Sequence, residues 1–537
     1  METTIMKKIL LILTVLFSGI LLNSCNQNLL DVEQHGALLP DTYYKNASDE
    51  QANQLIAAVY SQVYTGFFWN GFLNNMSDDG IGTGGTYSNV NVNSQTHTGN
   101  GYFTSLFRVN YLCNMIIAQL PSDTDIKKQV IGEAYFWRAW AYSYLIRMWG
   151  TPPLVDHVLA LSELTPANGS PEQLWNYVIS SLNEAVKFLP EKSALGQQRA
   201  IGGRLTKHSA YALLGKVQLV KGDYAGAIAS LETVINSGKY KLINDYRNLY
   251  HVPADFCDEY MFEWNMDDND QANFANEGDN RAVNLTWRTE NVTVPGGLTA
   301  QGYGSADFNK NFYNFMVARG EKGKPRYLGT IWDYEDIQQR FIDLGLASNS
   351  ADAIDKFWNS VSLMADCQGY FRAKMLPWAS DLYNYDVVQV IHTKANWPGM
   401  RYAEVLLNYA EACKQSGTKS AEGLAALNLV RQRAGLNTLT SYTLQDLKDE
   451  KRAELAYESE RFLDLVRWGD ASTALANRGF NVYNFYGYTQ GTTTYNVTQT
   501  PVQDAKGFQT GRDELFPFPY NERLLNTNLA QNPGWGN

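Results

Sequence analysis

The stretch "ALLGKVQLVKGDYAGAIASLETVINSG", residues 212–238, has the pattern of two short helices joined by a tight turn. Leu214 and Gly215 are followed by Gly222 at the turn and by Ala227 on the second helix. Small residues let two helices approach closely, and a glycine adopts the backbone conformation that the turn needs without strain. The stretch therefore predicts a pair of closely packed helices.

The spacing resembles that of a tetratricopeptide unit, because Gln218, Leu231 and Val234 also fall where such units place larger residues. A looser copy is "RYAEVLLNYAEACKQSGTKSAEGLAALNLVRQRAG", residues 401–435, and the helical segments of residues 131–189 look like a third. About four helix pairs, separated in sequence rather than in tandem, are expected to stack into a right-handed scaffold.

Other helices are predicted from their caps and their apolar pattern. Ser48–Tyr64 begins with an N-cap serine and has Gln51 three residues on, and Ser170 is followed by Pro171 at the first helical position. Ile131–Gly150 is apolar almost all round, which predicts a core helix. The residues expected in the core on helical patterns are Trp137, Trp140, Trp149, Trp175 and Trp468, with Cys113 and Cys413 as buried free thiols.

The fold class that we predict is mainly α, with a large loop-rich insert subdomain that contains short strands. "EYMFEWNMD", Glu259–Asp267, and "YNVTQTP", residues 495–501, are strand-like. The predicted parts are a helical-repeat scaffold over about 45–240 and 399–470, a loop-rich ligand-binding subdomain over about 241–398, and an irregular C-terminal segment, 471–537.

Composition excludes several classes of function. The net charge of −11 and the pI near 5.2 argue against nucleic acid, which favours basic surfaces. The histidines and cysteines form no zinc-site spacing, and "DDND", residues 267–270, lacks the full calcium-loop pattern. A glycosidase needs two carboxylates placed across a bond, which a linear acidic run does not establish. We therefore predict no catalytic residue, no metal ligand and no cofactor, and leave a structural calcium ion open.

The N-terminus has the pattern of an export signal. Lys7 and Lys8 precede the apolar run Ile9–Leu22, and we interpret residues 1–24 as a signal peptide. The run ends in "LLNSC", which resembles the lipobox of bacterial lipoproteins. That resemblance implies that Cys25 carries the lipid anchor, since two or more acyl chains give stable membrane attachment. An ordinary secreted protein with an incidental cysteine is the alternative.

Several segments together resemble one family, the SusD/RagB-type outer-membrane lipoproteins of Bacteroidetes. One of them, "EKRAELAYESERFLDLVRWGD", residues 450–470, is similar to a family helix, so a single helix is expected there. The others are "LLDVEQHGALLPDTYYKN" (29–46), "GEAYFWRAWAYSYLIRMWGTPPLV" (132–155), "NWPGMRYAEVLLNYAEA" (396–412) and "ELFPFPYNERLLNTNLAQNPGW" (514–535).

The resemblance implies a SusD-like fold and a non-catalytic surface lipoprotein of the outer membrane. Such a protein would bind oligo- or polysaccharide and pass it to a SusC-like TonB-dependent barrel, its expected partner. The glycan itself and the stoichiometry with the barrel are left undetermined.

The resemblance also implies where the ligand would bind. Aromatic rings match the C–H face of a sugar, and charged or amide groups match its hydroxyls. Tyr303, flanked by two glycines, is the strongest candidate, whereas packing within the fold is an equal alternative for Tyr87 and Trp287. The ligand residues would lie on two loops, residues 77–91 and residues 284–315, and the second is expected to lead into a helix from about Ser305. The full set of predicted ligand-binding residues is Asp78, Tyr87, Asn89, Trp287, Arg288 and Tyr303.

Three other functions stay open from the sequence. A relative of the same kind could capture peptides, with few exposed aromatic rings in a deep polar cavity. A glycosidase would have a pocket with one carboxyl group of raised pKa. A tetratricopeptide adaptor would bind only protein, on the concave face of its helices.

Overall fold

A computed structural model of the chain divides into two units, Met1–Ala47 and Ser48–Asn537. In the first unit it describes helix α1, Pro40–Lys45. The described residues are 40–66, 72–82, 95, 97, 99–266, 289–290, 293–294, 298–299, 306–343, 348–349, 351–352, 363–367, 370–376, 378, 381, 393–476, 481–488, 495–501 and 507–536.

Helices dominate the second unit, as predicted. The Ser170 side chain accepts a hydrogen bond from Gln173 N while Gln173 reaches back to the cap, so the predicted start of that helix is confirmed. The helices are α2 (Asp49–Gly66), α3 (Phe72–Asn75), α4 (Gly99–Gln119), α5 (Asp125–Trp149), α6 (Pro171–Phe188), α7 (Lys207–Lys221), α8 (Tyr224–Asn236), α9 (Lys310–Ala318), α10 (Pro325–Leu328), α11 (Tyr334–Asp343), α12 (Tyr402–Ser416), α13 (Ser420–Arg433), α14 (Leu444–Glu454), α15 (Arg461–Trp468), α16 (Ala471–Ala474) and α17 (Tyr520–Leu525).

The scaffold is a stack in which each helix packs on the next, from α4 through α8. Helix α12, far along the chain, then packs on α8 and carries α13 and α14, so helices separated in sequence are neighbours in space. Gly215 lies at the contact of α7 and α8, where a Cβ atom would come 2.4 Å from Leu231 Cγ. Gly222 ends α7 with a φ of 87°. The predicted helix pair and the mainly α fold class are confirmed.

The core expectations are confirmed in part. Trp137, Trp140 and Trp149 of α5 are buried, and α5 is buried along most of its length. Cys113 and Cys413 are buried free thiols. Trp175 and Trp468 are only partly buried, so their assignment to the core is wrong. Helical spacing identifies an apolar face, but it does not show whether a neighbouring element covers that face completely.

Short antiparallel strands complete the unit. The strands are β1 (Gly80–Gly82), β2 (Tyr260–Trp264), β3 (Thr289–Glu290), β4 (Thr293–Val294), β5 (Leu298–Thr299), β6 (Ala306–Phe308), β7 (Ile331–Trp332), β8 (Leu363–Cys367), β9 (Phe371–Arg372), β10 (Trp397–Arg401), β11 (Asn481–Tyr488) and β12 (Tyr495–Pro501). One sheet has four strands in the order β12-β11-β8-β3, and the other strands form the pairs β1 with β6, β2 with β10, β4 with β5 and β7 with β9. The strands predicted at β2 and β12 are confirmed.

Two predicted helices differ in the structure. The helix expected from about Ser305 begins instead at Lys310, because β6 pairs with β1 and the Asn309 side chain then caps α9 by accepting from Phe312 N. The single helix expected over residues 450–470 is divided into α14 and α15. The turn between them contains Tyr457 and Ser459 in the left-handed region, with φ of 65° and 67°.

Candidate functional site

Most of the residues predicted from the family resemblance lie outside the described residues. These are Tyr87, Asn89, Trp287, Arg288 and Tyr303, together with Cys25 and the signal segment 1–24. Their roles therefore stay predictions. Within the described ranges, no helix is both long and apolar enough to cross a membrane.

Asp78 is the one predicted ligand-binding residue whose side chain the structure describes. It lies between α3 and β1. Arg461 donates two hydrogen bonds to its carboxylate, Nε to Oδ1 at 2.8 Å and Nη2 to Oδ2 at 2.9 Å. Burial alone would raise the pKa of Asp78, but Arg452 and Arg461 outweigh it and hold the pKa below its usual value. The carboxylate is thus fixed and ionised at the start of the first predicted loop, and its contact with a ligand stays a prediction.

The described part of the chain contains a crevice inside the helical scaffold. We call it the scaffold crevice and define it by Trp140, Trp175, Lys216, Trp397, Glu404 and Glu460, which line it. Its cavity volume is about 60 Å³, and a smaller cavity of about 10 Å³ shares Lys216, Glu404 and Glu460 with it. On the same measure one water molecule needs about 10–15 Å³, so this space corresponds to about four to six water molecules, which is roughly the volume of one six-membered ring with its substituents.

Aromatic rings form the walls of the scaffold crevice. Trp140 of α5 packs against Tyr144 with ring centroids 4.8 Å apart, and Trp397 of β10 packs against Tyr250 at 5.2 Å. Trp175 of α6 is partly exposed on the same crevice. Aromatic rings offer a large apolar area at a small cost in rotamer entropy, so these walls suit a flat apolar surface of a ligand.

Paired charges form another part of the lining. Lys216 Nζ lies 2.7 Å from both Glu404 Oε1 and Glu460 Oε1, and Arg147 Nη2 lies 2.7 Å from Glu460 Oε2. Burial would raise the pKa of Glu460, but Arg147 and Lys216 hold that pKa at about 2. Burial would lower the pKa of Lys216, but Glu404 and Glu460 raise it. Glu460 and Lys216 are therefore charged at neutral pH, and they present fixed hydrogen-bonding groups beside the rings.

A second set of charged side chains is buried and has a structural role, and one member of it, Arg401, also lines the scaffold crevice. Arg326 Nη1 lies 2.5 Å from Glu450 Oε1, and Arg401 Nη1 lies 2.6 Å from Glu259 Oε1. Arg326 and Arg401 are both among the largest fully buried side chains. Burial would raise the pKa of Glu454, but Arg433, Arg401 and Arg326 hold it at about 2. These pairs tie α10, α13 and α14 to one another and to the end of β10.

Asp255 and Glu263, two of the carboxyl groups whose pKa is raised, share Asn396 as a hydrogen-bond partner. Glu263 Oε2 accepts hydrogen bonds from Phe256 N and Asn396 Nδ2, each at 3.0 Å, and Asp255 Oδ1 accepts from Asn396 N at 2.9 Å. Burial raises the pKa of both Asp255 and Glu263 to about 7. Glu263 is only 3% exposed and does not line the scaffold crevice, so it is not available to a substrate. Among the described residues, no group of three or more His, Cys, Asp or Glu is placed to hold a metal ion.

The scaffold crevice is the feature that sequence patterns missed. Its lining comes from positions as far apart as Asn74 and Glu460, and no local spacing brings these together. The only local signal is Trp175, which follows the cap of α6 closely and lies on a helix whose apolar face is narrow. Helical spacing predicts that ring in the core instead.

Comparison with protein-family models gives two matches along the chain. A model described as "SusD family" matches residues 251–535, which is more than half of the chain. A second model, described as "Starch-binding associating with outer membrane", matches residues 30–219.

Individual proteins are similar over nearly the whole length. A SusD-like protein of Formosa agariphila is 25% identical, covering 94% of this chain and 96% of its own, and one of Bacteroides ovatus is 24% identical over 85% and 82%. Among solved structures, a laminarin binding SusD-like protein is 25% identical with a TM-score of 0.70, covering 90% of this chain and 99% of its own. Surface glycan-binding protein A from Bacteroides thetaiotaomicron, solved with laminarihexaose, is 20% identical with a TM-score of 0.69 over 90% and 99%.

Proposed function

The chain belongs to the SusD family, and from this premise we propose that it is a non-catalytic surface lipoprotein that binds an oligo- or polysaccharide. It then delivers the glycan to a TonB-dependent barrel of the outer membrane. The observation that carries the proposal is the similarity to a laminarin binding SusD-like protein over 90% of this chain and 99% of that one. The composition supports it, because 33 Tyr and 13 Trp supply many rings for stacking on sugars.

The glycan platform consists of the six residues predicted from the family resemblance. Tyr303, Trp287 and Tyr87 stack on sugar rings, while Arg288, Asn89 and Asp78 meet the hydroxyls. The fixed, ionised carboxylate of Asp78 supports this assignment, because hydrogen bonds to a charged acceptor are the stronger ones. An open platform of this kind gives weak binding, with a Kd between roughly 1 mM and 10 μM, which allows release to the barrel.

Isothermal titration against an oligosaccharide panel that includes laminarihexaose tests the glycan-binding step. The full chain is used in a detergent without a sugar headgroup. We expect binding to one class of glycan, and we expect Tyr303→Ala and Trp287→Ala to weaken it about tenfold each, as the loss of one aromatic contact predicts. Tyr111→Ala, at a half-exposed tyrosine of α4, is the matched control and should bind as the wild type does.

Two outcomes contradict the proposal. If the protein bound no glycan on the panel, glycan binding would not be its function. If the oligosaccharide became shorter during incubation, the protein would be an enzyme. Peptide binding in the same titration would favour the alternative of a peptide-capturing relative.

Anchoring and delivery have a separate test. The lipid on Cys25 holds the protein at the outer membrane, so Cys25→Ser should release the folded chain from the membrane fraction. Co-purification from solubilised membranes should recover a TonB-dependent barrel with the wild-type chain. A Cys25→Ser chain that stays in the outer membrane at the wild-type level would contradict the role of the cysteine.

A further inference from the structure

The scaffold crevice concentrates unusual backbone conformations. Six non-glycine residues in the described part of the chain have a positive φ, and four of them line this one crevice. A side chain at positive φ strains the backbone, and such residues persist where the surroundings impose them, often at ligand sites. The four residues are Tyr250, Met375, Tyr457 and Ser459, with φ between 64° and 69°.

Hydrogen bonds from neighbouring elements hold the backbone in this conformation. Asn74 Nδ2 donates to Tyr457 O at 3.1 Å, and Asn74 Oδ1 accepts from Ser459 N at 2.7 Å. Tyr250 N donates to Tyr260 Oη at 2.9 Å. The turn after α14 is thus clamped from α3, and as a result it directs Glu458 and Glu460 to the crevice instead of continuing the helix.

The chemistry of the lining indicates the class of ligand. Three cationic and three anionic side chains line the crevice, so it favours neither a strong anion nor a strong cation. Trp175 and Trp397 are partly exposed and supply apolar faces, and the fixed carboxylates and ammonium group beside them supply partners for hydroxyls. A ligand that combines an apolar face with a ring of hydroxyls, and carries no charge, fits this combination.

We propose that the scaffold crevice is a second binding site of this protein, which takes a single neutral pyranose unit. It shares none of its residues with the predicted loop platform. The inference rests on the proposed function only for the choice of a sugar as the ligand. Trp175 and Trp397 are the rings that the sugar contacts, because both are partly exposed on the crevice wall, whereas Trp140 is buried.

The test is fluorine NMR of the full chain labelled with 5-fluorotryptophan, in a detergent without a sugar headgroup. Trp175→Phe assigns the resonance of Trp175. The probes are glucose, galactose, mannose, xylose and fucose, with glycerol as a polyol that has no ring. We expect at least one of the sugars to shift the Trp175 resonance in a saturable manner, and we expect glycerol not to do so.

A variant then tests the site by affinity. Trp397 is labelled in the same protein, and its shift reports binding when Trp175 is replaced. Trp175→Ala should weaken the affinity for the monosaccharide about tenfold, as expected for the loss of one aromatic contact. Tyr111→Ala, half-exposed on α4 and outside the crevice, should leave the affinity unchanged.

The outcomes separate this site from the loop platform. If no sugar shifts the resonance of Trp175 or Trp397, or if Trp175→Ala leaves the affinity as it was, the crevice is not a sugar site, even where oligosaccharide binding is lost in Tyr303→Ala. If the crevice resonances respond to a monosaccharide and no oligosaccharide binds to the loops, the second site stands and the delivery platform fails.

Discussion

At the scale of single residues, burial without a countercharge makes Glu263 the clearest source of pH dependence. Its pKa is raised to about 7 by burial, from an ordinary value of 4.5. The folded state therefore holds this proton more tightly than the unfolded state does. This contribution to stability is complete below the ordinary pKa and is lost as the pH rises through about 7.

We expect Glu263→Gln to remove that loss, since the amide stays neutral and keeps an oxygen that accepts from Phe256 N and Asn396 Nδ2. Between about pH 5 and pH 8 the free energy of unfolding of the wild type should fall relative to the variant by about 2 kcal/mol. Urea denaturation at a series of pH values measures it, with the exposed Glu172→Gln as control. Parallel profiles for Glu263→Gln and the wild type would contradict the assignment.

Arg326 is the residue on which the enclosed ion pairs depend most. Its guanidinium lies 2.6 Å from Glu321 Oε1 and 2.5 Å from Glu450 Oε1, and all three side chains are fully buried. Arg326→Met leaves buried carboxylates short of a countercharge, so we expect a loss of about 3–5 kcal/mol in the free energy of unfolding.

Chemical denaturation compares this variant with Lys128→Met, which removes the cation of an exposed ion pair with Asp125. Exposed pairs contribute little, so the control should unfold as the wild type does. Equal unfolding midpoints for Arg326→Met and Lys128→Met would show that the buried pairs add no stability.

At the scale of elements, the sequence predicted helix ends and turns correctly where a single residue determines them. Ser170 and Gln173 form the predicted capping box, and Gly222 lies at the predicted turn, where its φ is 87°. The division of α14 from α15 was not predictable, because the side chain that clamps the turn, Asn74, lies 383 residues from Tyr457 in the sequence. Tertiary hydrogen bonds there override a continuous helical pattern.

Gly215 gives a test of the packing between α7 and α8. A Cβ atom at this position would meet Leu231 Cγ at 2.4 Å inside the core, so Gly215→Ala should overpack the contact. Overpacking costs about 1–3 kcal/mol, which exceeds the gain of up to about 1 kcal/mol from helix propensity. We expect net destabilisation by thermal and urea unfolding.

Gly101 is the matched control, because it also lies in a helix but has no atom within 4 Å of the added Cβ. Gly101→Ala should stabilise by about 0.5–1 kcal/mol. In a Leu231→Ala background the cost of Gly215→Ala should shrink, since the clashing side chain is gone. A stabilised Gly215→Ala single variant would mean that the helices are not in close contact.

At the scale of the whole molecule, helix periodicity and the order of the similar segments predicted the mainly α fold and the stacking of separated helix pairs. They could not predict which aromatic residues stay accessible. Trp175 and Trp137 have similar helical settings, but Trp137 packs against Trp264 of β2 with ring centroids 5.6 Å apart, while Trp175 faces the crevice. That difference depends on elements brought in from distant parts of the chain.

The C-terminal segment packs against the end of α5, and this contact, called the closure below, can be tested. Asn532 Nδ2 donates to Trp149 O at 3.0 Å and to Phe516 O at 2.7 Å, across 383 residues in the first case. Asn532→Ala removes the donor from both buried carbonyls, so we expect a loss of about 1–3 kcal/mol in the free energy of unfolding. Because this closure joins distant parts of one unit, the whole transition should shift, as measured by urea unfolding followed by both circular dichroism and tryptophan fluorescence.

Asn528→Ala is the control for that measurement, because its exposed side chain donates to Thr165 O at 2.8 Å where water can replace it. It should leave the unfolding midpoint unchanged. If Asn532→Ala also left the midpoint unchanged and only increased hydrogen exchange in residues 512–536, the segment would be a loosely attached tail. A coincident shift of both probes would instead make the contact between Trp149 and Asn532 part of one cooperative unit that supports the scaffold crevice and the loops alike.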